Sequence, residues 1–337
     1  MKVLIAGGAG FIGSRVATEL QKKGASVTIL DDLSTGSVAN LESGVAHSGV
    51  ELIVGSINDD RLLRKVFVQF DCVFNLAGVS SVVASWEDPV GTGATNLEGC
   101  LKLLVASRDA KVRRFILASS AAVYGDTRGQ SASERMPLFP MSPYGLQKYA
   151  AELYCRMFSS EFGLFTVCLR YFNVYGPGQQ LDLPSAGVIP RYVLTALNGG
   201  APIIYGDGSQ RRDFIHISDV ARATILAAEA TETNLERKVY NIGSGVTHSL
   251  SELIAIISNI SGKPLTPKFE SRRKGDIDFS QAQIEAARSD LGFSVEIPLE
   301  QGYGKPGHTM RNKPLALLLW LLAFRLVLAF QPKFTRP

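Results

Sequence analysis

Tyr144 and Lys148 stand four residues apart in Ser142-Pro-Tyr-Gly-Leu-Gln-Lys148. On a helix, positions four apart share a face. An ammonium at Lys148 then favours the phenolate of Tyr144 and lowers its pKa. A phenolate is a suitable base for a sugar or alcohol hydroxyl near neutral pH. Upstream, Ala118-Ser-Ser-Ala-Ala-Val-Tyr-Gly125 follows an apolar run. At the C-terminal end of a strand, Ser120 faces the crevice where such sheets hold ligands. Its hydroxyl can share a hydrogen bond with the group that Tyr144 deprotonates. Alone, the Tyr/Lys pair also describes an ordinary helix face, so the neighbouring motifs must decide.

The first of these opens the chain: Met-Lys-Val-Leu-Ile-Ala-Gly-Gly-Ala-Gly-Phe-Ile-Gly13. An apolar strand, Val3 to Ala6, meets Gly7, Gly10 and Gly13 and then a helix-forming stretch, Ser14 to Lys22. Gly7 permits a tight turn and Gly10 leaves room for a pyrophosphate. Gly13 lets the helix pack on the strand, and the helix N-terminus faces the anion. A second apolar run, Ala25 to Leu30, ends in Asp31, about twenty residues on, where a carboxylate can hold a ribose hydroxyl. The alternative is a glycine-rich turn with no ligand, but strand, glycines, helix, second strand and acid occur in the order a dinucleotide requires. An oxidised nicotinamide held there adds its charge to that of Lys148.

These residues need a frame. Up to about residue 170 the chain alternates short apolar runs (3–6, 26–30, 51–54, 72–76, 114–118 and 165–169) with helical stretches such as 96–108 and 143–162. This predicts an α/β protein with a Rossmann-like doubly wound parallel sheet. Residues 1–176 are expected to form the cofactor domain, with a returning segment near 212–245 that includes a strand at 239–242. A Gly/Pro-rich crossing at 177–187 leads to a smaller, discontinuous C-terminal α/β substrate domain within 177–302, with a helix at 189–198 and the segment 202–213. Residues 303–337 form an atypical apolar and basic tail. No repeat or low-complexity tract appears.

A length of 337 residues suits roughly two domains. The net charge is +4, yet six of the 35 basic residues and none of the 31 acids lie from Lys305 onward. The remaining chain carries 29 basic against 31 acidic residues, so no nucleic-acid partner is expected. Cys72, Cys100, Cys155 and Cys168 lack metal-ligand spacing and read as reduced core thiols, with no metal expected. Met1 runs straight into a strand without a signal-peptide pattern, so a cytoplasmic protein is expected. The apolar stretch 315–330, broken by Arg325, is shorter than the roughly twenty residues a span needs. A buried or surface-lying helix is expected there over a membrane anchor.

Together these residues resemble the extended short-chain dehydrogenase/reductase family, and within it the nucleotide-sugar 4-epimerases. The resemblance covers residues 1–302. It rests on GGAGFIG (7–13), DDLSTG (31–36), NLAG (75–78), the helix start NLEG (96–99), SSAAVYG (119–125), SPYGLQK (142–148), LRYFNVYGP (169–177), GVIPRY (187–192), YGDGSQRRDFIHISDV (205–220), YNIGSG (240–245) and RRKGDI (272–277). It implies NAD as cofactor and a UDP-sugar as substrate, with Ser120, Tyr144 and Lys148 catalytic. Phe11 and Ile12 would follow the pyrophosphate, Asp31 the adenosine ribose and Phe172 the nicotinamide. Leu76, Ala77 and Gly78 would back the cofactor, with Asn96 nearby. Asp32, Ser34, Thr35, Gly36, Ser56, Ile57 and Ser80 complete the cofactor set. Asn173, Arg212 and Arg273 would contact the diphosphate, whose negative charge suits such donors. Asp276 would contact its ribose, and Val188, Ile189 and Tyr205 would surround the uracil, with Gln210 beside them. Ser80 and Ser280 would border the sugar. A homodimer is also implied.

Two positions depart from the family: Ser56 replaces an acid that contacts adenine, and Gln147 replaces the serine before Lys148. The residues after Gln301 also differ from the family's closing helix. His216 reads as structural. The family's dehydratases carry Asp-Glu before Val-Tyr-Gly and its decarboxylases Glu, whereas this chain has Ala121 and Ala122. Alanine moves no proton, which favours 4-epimerisation through a 4-keto sugar. A small Ser280 leaves room for an N-acetyl group, so a UDP-N-acetylhexosamine is expected, with UDP-uronic acid or UDP-glucose behind it. Another dehydratase or decarboxylase of the family, or a non-catalytic NAD-binding protein, are the alternatives.

Overall fold

The computed structural model describes residues 1–42, 50–179, 187–231, 238–262, 264–272 and 276–302. In chain order come β1 (Lys2–Ala6), α1 (Phe11–Lys22), β2 (Ser26–Asp31), α2 (Val38–Glu42), β3 (Val50–Val54), α3 (Asp60–Val66), β4 (Cys72–Asn75), α4 (Val82–Glu87), α5 (Pro89–Gly93), a π-helical turn (Ala94–Gly99), α6 (Cys100–Asp109), β5 (Arg114–Ser120) and α7 (Pro143–Phe162). They are followed by β6 (Phe165–Tyr171), β7 (Asn173–Tyr175), α8 (Val188–Leu197), β8 (Ile203–Tyr205), β9 (Arg211–His216), α9 (Ile217–Glu229), β10 (Val239–Ile242), β11 (Thr247–Ser249), α10 (Leu250–Ser261), β12 (Lys268–Glu270), β13 (Phe279–Ser280) and α11 (Glu285–Leu291).

Apolar runs without polar alternation need cover on both faces. Val3 to Ala6 of β1 are fully buried, and every residue of β6 is buried. Seven parallel strands accordingly form one sheet in the order β10-β6-β5-β4-β1-β2-β3. One face packs on Val16 and Leu20 of α1 and Val220 and Ile225 of α9. The other packs on Leu63 of α3, Leu103 and Leu104 of α6, and Cys155 and Phe158 of α7. Each fully buried leucine contributes roughly 1.5–3 kcal/mol. This is a Rossmann-like doubly wound α/β fold. β1 lies between β2 and β4, so the order reverses there, and a crevice opens at the strands' C-terminal ends.

The expected return of 239–242 to the sheet is observed as β10, paired with β6 in the register Ile242 to Tyr171. A second sheet holds β11, β9 and β13, with β7 also paired to β9. β8 and β12 form a separate parallel pair. α8 and α10 pack together through Ile189, Tyr192, Val193, Leu253 and Ile257. The sequence predicts one helix over 96–108, but a π-helical turn precedes α6 there. Asn96 sits in this wider turn and bonds to residues far away in sequence, which local periodicity does not reveal.

α7 shows clear local causes. Ser142 caps its start by accepting from Gly145 N, Pro143 takes the first position, and Gly163 ends it at φ 69°. All four cysteines are buried and free. Among the described residues no helix is long and apolar enough to cross a membrane. The tail at 303–337 lies outside the described residues.

Candidate functional site

A cavity of about 580 Å³ lies at the C-terminal ends of β1, β4 and β5, within the range of small-molecule sites. Its floor begins at the glycine turn. Gly7 has φ 77°, and a Cβ there would lie 2.5 Å from Ala77 N. A Cβ on Gly13 would lie 2.1 Å from the Gly7 carbonyl oxygen. Gly10 starts α1 without a side-chain cap, so the first-turn amides have no side-chain acceptor, and Phe11, Ile12 and Gly13 line the cavity with it. An uncapped helix start in a side-chain-free cradle suits a pyrophosphate.

Asp31, at the end of β2, is 7% exposed and lines the cavity. It accepts from Leu33 N at 2.9 Å and Ala9 N at 2.8 Å. Burial raises its pKa, and these bonds partly offset the rise. A Cβ on Gly36 would lie 2.9 Å from Asp31 Oδ1, so the glycine allows the close approach, but Gly36 itself does not line the cavity. Asp32, Ser34, Thr35, Ser56, Ile57, Leu76, Ala77, Gly78 and Ser80 all line the cavity. Ser56 uses its hydroxyl to accept from Asn58 N at 3.2 Å. Asn96 does not reach the cavity; it holds Val79, which does.

Tyr144, 8% exposed, faces the same space as Ser120, Lys148 and Phe172. Lys148 donates to the Ala118 carbonyl at 2.9 Å. The charge argument from spacing is not what dominates here. Burial raises the Tyr144 pKa, a hydrogen bond with Ser120 opposes it, and Lys148 is not among the causes. Burial also lowers the Lys148 pKa. Helical spacing places the two side chains near one another but says nothing of desolvation, which penalises both charged forms.

At the far end, Asn173, Arg212 and Ser280 line the cavity. Asn173 donates to the Asp213 carbonyl at 2.9 Å. Arg212 pairs with Asp276 at 2.6 Å, so two residues expected on the ligand hold each other. Burial lowers the Arg212 pKa and Asp276 opposes this. Asp276, Val188, Ile189, Tyr205 and Gln210 are not among the lining residues. Ile189 is 3% exposed in the α8/α10 core, and Gln210 donates to the Tyr205 carbonyl. Arg273 lies outside the described residues. Sequence reasoning missed Asn40 of α2, Thr127, Gln179, Ile277 and Gln281, which line the cavity; Ile277 closes the RRKGDI stretch, and the others stand in none of the motifs. His216 caps α9 by accepting from Ser218 N at 3.2 Å and packs edge-on to Tyr175.

Likeness to known proteins bears on this site. The family model described as NAD dependent epimerase/dehydratase family matches residues 3–243. A UDP-glucose 4-epimerase of Mycolicibacterium smegmatis is 34% identical over 316 residues, covering 93% of this chain and 99% of that one. A crystal structure of UDP-glucose 4-epimerase with UDP-glucose from Thermotoga maritima superposes with a TM-score of 0.86 at 33% identity, covering 97% of this chain and all of that one. A UDP-N-acetylglucosamine 4-epimerase from Methanobrevibacter ruminantium, in complex with UDP-N-acetylmuramic acid, gives a TM-score of 0.86 at 34% identity, covering 96% and 98%. The glycine cradle, the acid that ends β2 and the Tyr144/Lys148 helix thus stand in a chain that belongs to the NAD dependent epimerase/dehydratase family.

Proposed function

We propose that this chain is an NAD-dependent 4-epimerase of UDP-sugars, acting through a 4-keto sugar, with a UDP-N-acetylhexosamine as its preferred substrate and a UDP-uronic acid or UDP-glucose next. One observation carries the choice of reaction. Tyr144, Ser120 and Lys148 share a cavity whose only carboxylates among the described residues, Asp31 at the end of β2 and Asp32 beyond it, stand at the dinucleotide end. Elimination of water needs a second acid–base pair beside the sugar, and Ala121 and Ala122 fill that part of the lining instead.

NAD supplies a hydride acceptor and donor when bound, and the cradle of Gly7, Gly10 and Gly13 with Asp31 fits it. Tyr144 takes the proton of the C4 hydroxyl and later returns it. Ser120 hydrogen-bonds the same oxygen. Lys148, fixed on the Ala118 carbonyl, shares the cavity with the phenol. Arg212 and Asn173 hold the diphosphate, and Arg212 exchanges Asp276 for a phosphate oxygen. Ser280, 8% exposed, leaves space beside the sugar. In this reading residues 1–176, with the returning segment near 212–245, hold the cofactor, and 177–302 hold the UDP-sugar.

The chain forms a homodimer in this reading. Leu146 and Met157 on α7 are 58% and 54% exposed, and Trp86 of α4 and Val90 of α5 are 65% and 81% exposed. α4 and α5 both pack on α7, and such an apolar face suits a second copy. Four free buried thiols support a reducing, cytoplasmic setting.

The test incubates the protein with UDP-N-acetylglucosamine, UDP-glucose and UDP-glucuronic acid in turn. The expected product has unchanged mass and an inverted C4. Loss of water or carbon dioxide from any of them would overturn the epimerase reading.

A further inference from the structure

Gln147 precedes Lys148 on α7, and it is buried and does not line the cavity. Nε2 donates to the Pro89 carbonyl and to Thr92 Oγ1, each at 3.1 Å. Oε1 accepts from Asn96 Nδ2 at 2.8 Å. Asn96, also buried, spends its other bonds on one residue of the cavity wall. Nδ2 donates to the Val79 carbonyl at 3.1 Å, and Oδ1 accepts from Val79 N at 2.8 Å.

This network has one consistent orientation. Val79 N–H only donates, and the Val79 and Pro89 carbonyls only accept. Together they set which end of each amide is oxygen. All four amide protons of the two side chains are used, so the network is satisfied and specific. The π-helical turn at 94–99 brings Asn96 into it, and such turns recur at functional sites.

The wall it holds is Leu76–Ser80, which lines the cavity throughout. Gly78 shows how closely the parts meet. A Cβ there would lie 2.9 Å from Asn96 Oδ1 and 3.2 Å from Lys148 Nζ. Asn96 and Lys148 thus converge on one residue, from the π-helical turn and from α7.

We propose that Gln147 is a positioning residue: through Asn96 it holds the Leu76–Ser80 wall in register with Lys148 of its own helix, and so keeps the dinucleotide seated against Tyr144. This rests on the reading of that wall as the backing of NAD. A serine or leucine at this position leaves the Asn96 amide without its partner, so the contribution belongs to the longer amide that this chain carries.

The experiment compares wild type with Gln147→Leu, Asn96→Leu and the double variant. It measures the NAD content of purified protein, the NAD dissociation rate, and kcat and KM for a UDP-sugar. The expected result for Gln147→Leu is NAD release at least fivefold faster and kcat down about tenfold, with KM within twofold. The double variant should be no worse than Asn96→Leu alone. Thr92→Val removes one acceptor while keeping its shape; it should speed NAD release two- to threefold, and it serves as the test if Gln147→Leu does not fold. Wild-type NAD retention and kcat in these variants would overturn the proposal while leaving the epimerase reading intact. A wild-type protein that binds no NAD would overturn both.

Discussion

Glu152 of α7 and Arg170 of β6 form a two-pronged ion pair, Nε to Oε1 at 2.9 Å and Nη2 to Oε2 at 2.6 Å, and both are almost fully buried. Glu152 lies one turn beyond Lys148 and accepts from Ser119, the neighbour of Ser120. Arg170 also donates to the Tyr124 hydroxyl at 2.9 Å, which in turn donates to Asn241 of β10 at 2.6 Å. The pair therefore ties the serine strand, the tyrosine helix and the far edge of the sheet together. Glu152→Leu should destabilise the protein by about 3–5 kcal/mol, because Arg170 is left charged and buried. Adding Arg170→Met should recover much of that loss. Denaturant unfolding of both singles and the double checks this, and an additive double would contradict it.

His216 sets an acid limit on stability. Burial lowers its pKa to about 4, and Arg15 adds to the effect. The unfolded chain takes up the proton near pH 6.5 and the folded chain only near 4. The neutral form thus stabilises the fold above pH 6.5, and that contribution is lost as pH falls toward 4. The loss amounts to about 3 kcal/mol. His216→Asn keeps a helix cap and should flatten the stability profile between pH 6.5 and 4, as followed by unfolding at fixed pH steps.

Ser120 opposes the effect of burial on Tyr144. Ser120→Ala removes that help, so the phenol ionises less readily. The acidic limb of kcat should move to higher pH, and turnover at neutral pH should fall by about tenfold or more. A pH–rate profile with an unmoved limb would contradict this.

The exposed apolar face of α4, α5 and α7 predicts the oligomeric state. Met157→Glu and Trp86→Glu together should convert a dimer into a monomer without loss of secondary structure. Sedimentation of wild type and variant checks this, and a monomeric wild type would refute it.

The parts legible in the sequence are those with local causes. The glycine turn, the apolar strands and α7 with its Ser142 cap and Gly163 stop each carry their signal within a few residues. The π-helical turn does not, because Asn96 bonds to Val79 and Gln147, 17 and 51 residues away. The far end of the cavity collects Thr127, Asn173, Arg212 and Gln281 from separate segments. The resemblance singled out Asn173 of β7 and Arg212 of β9, but Thr127 and Gln281 are ordinary residue types that no local pattern marks. The spacing of Tyr144 and Lys148 is likewise visible in the sequence. The balance of burial against charge that sets their pKa values is a property of the packed interior.

The most direct test of the account is turnover by Tyr144→Phe. The variant should still bind NAD and UDP-sugar, since it loses only the phenolic oxygen, while 4-epimerisation falls by at least about a hundredfold. Epimerisation at the wild-type rate in the folded, NAD-loaded variant would show that another group moves the proton and would contradict the proposed catalysis.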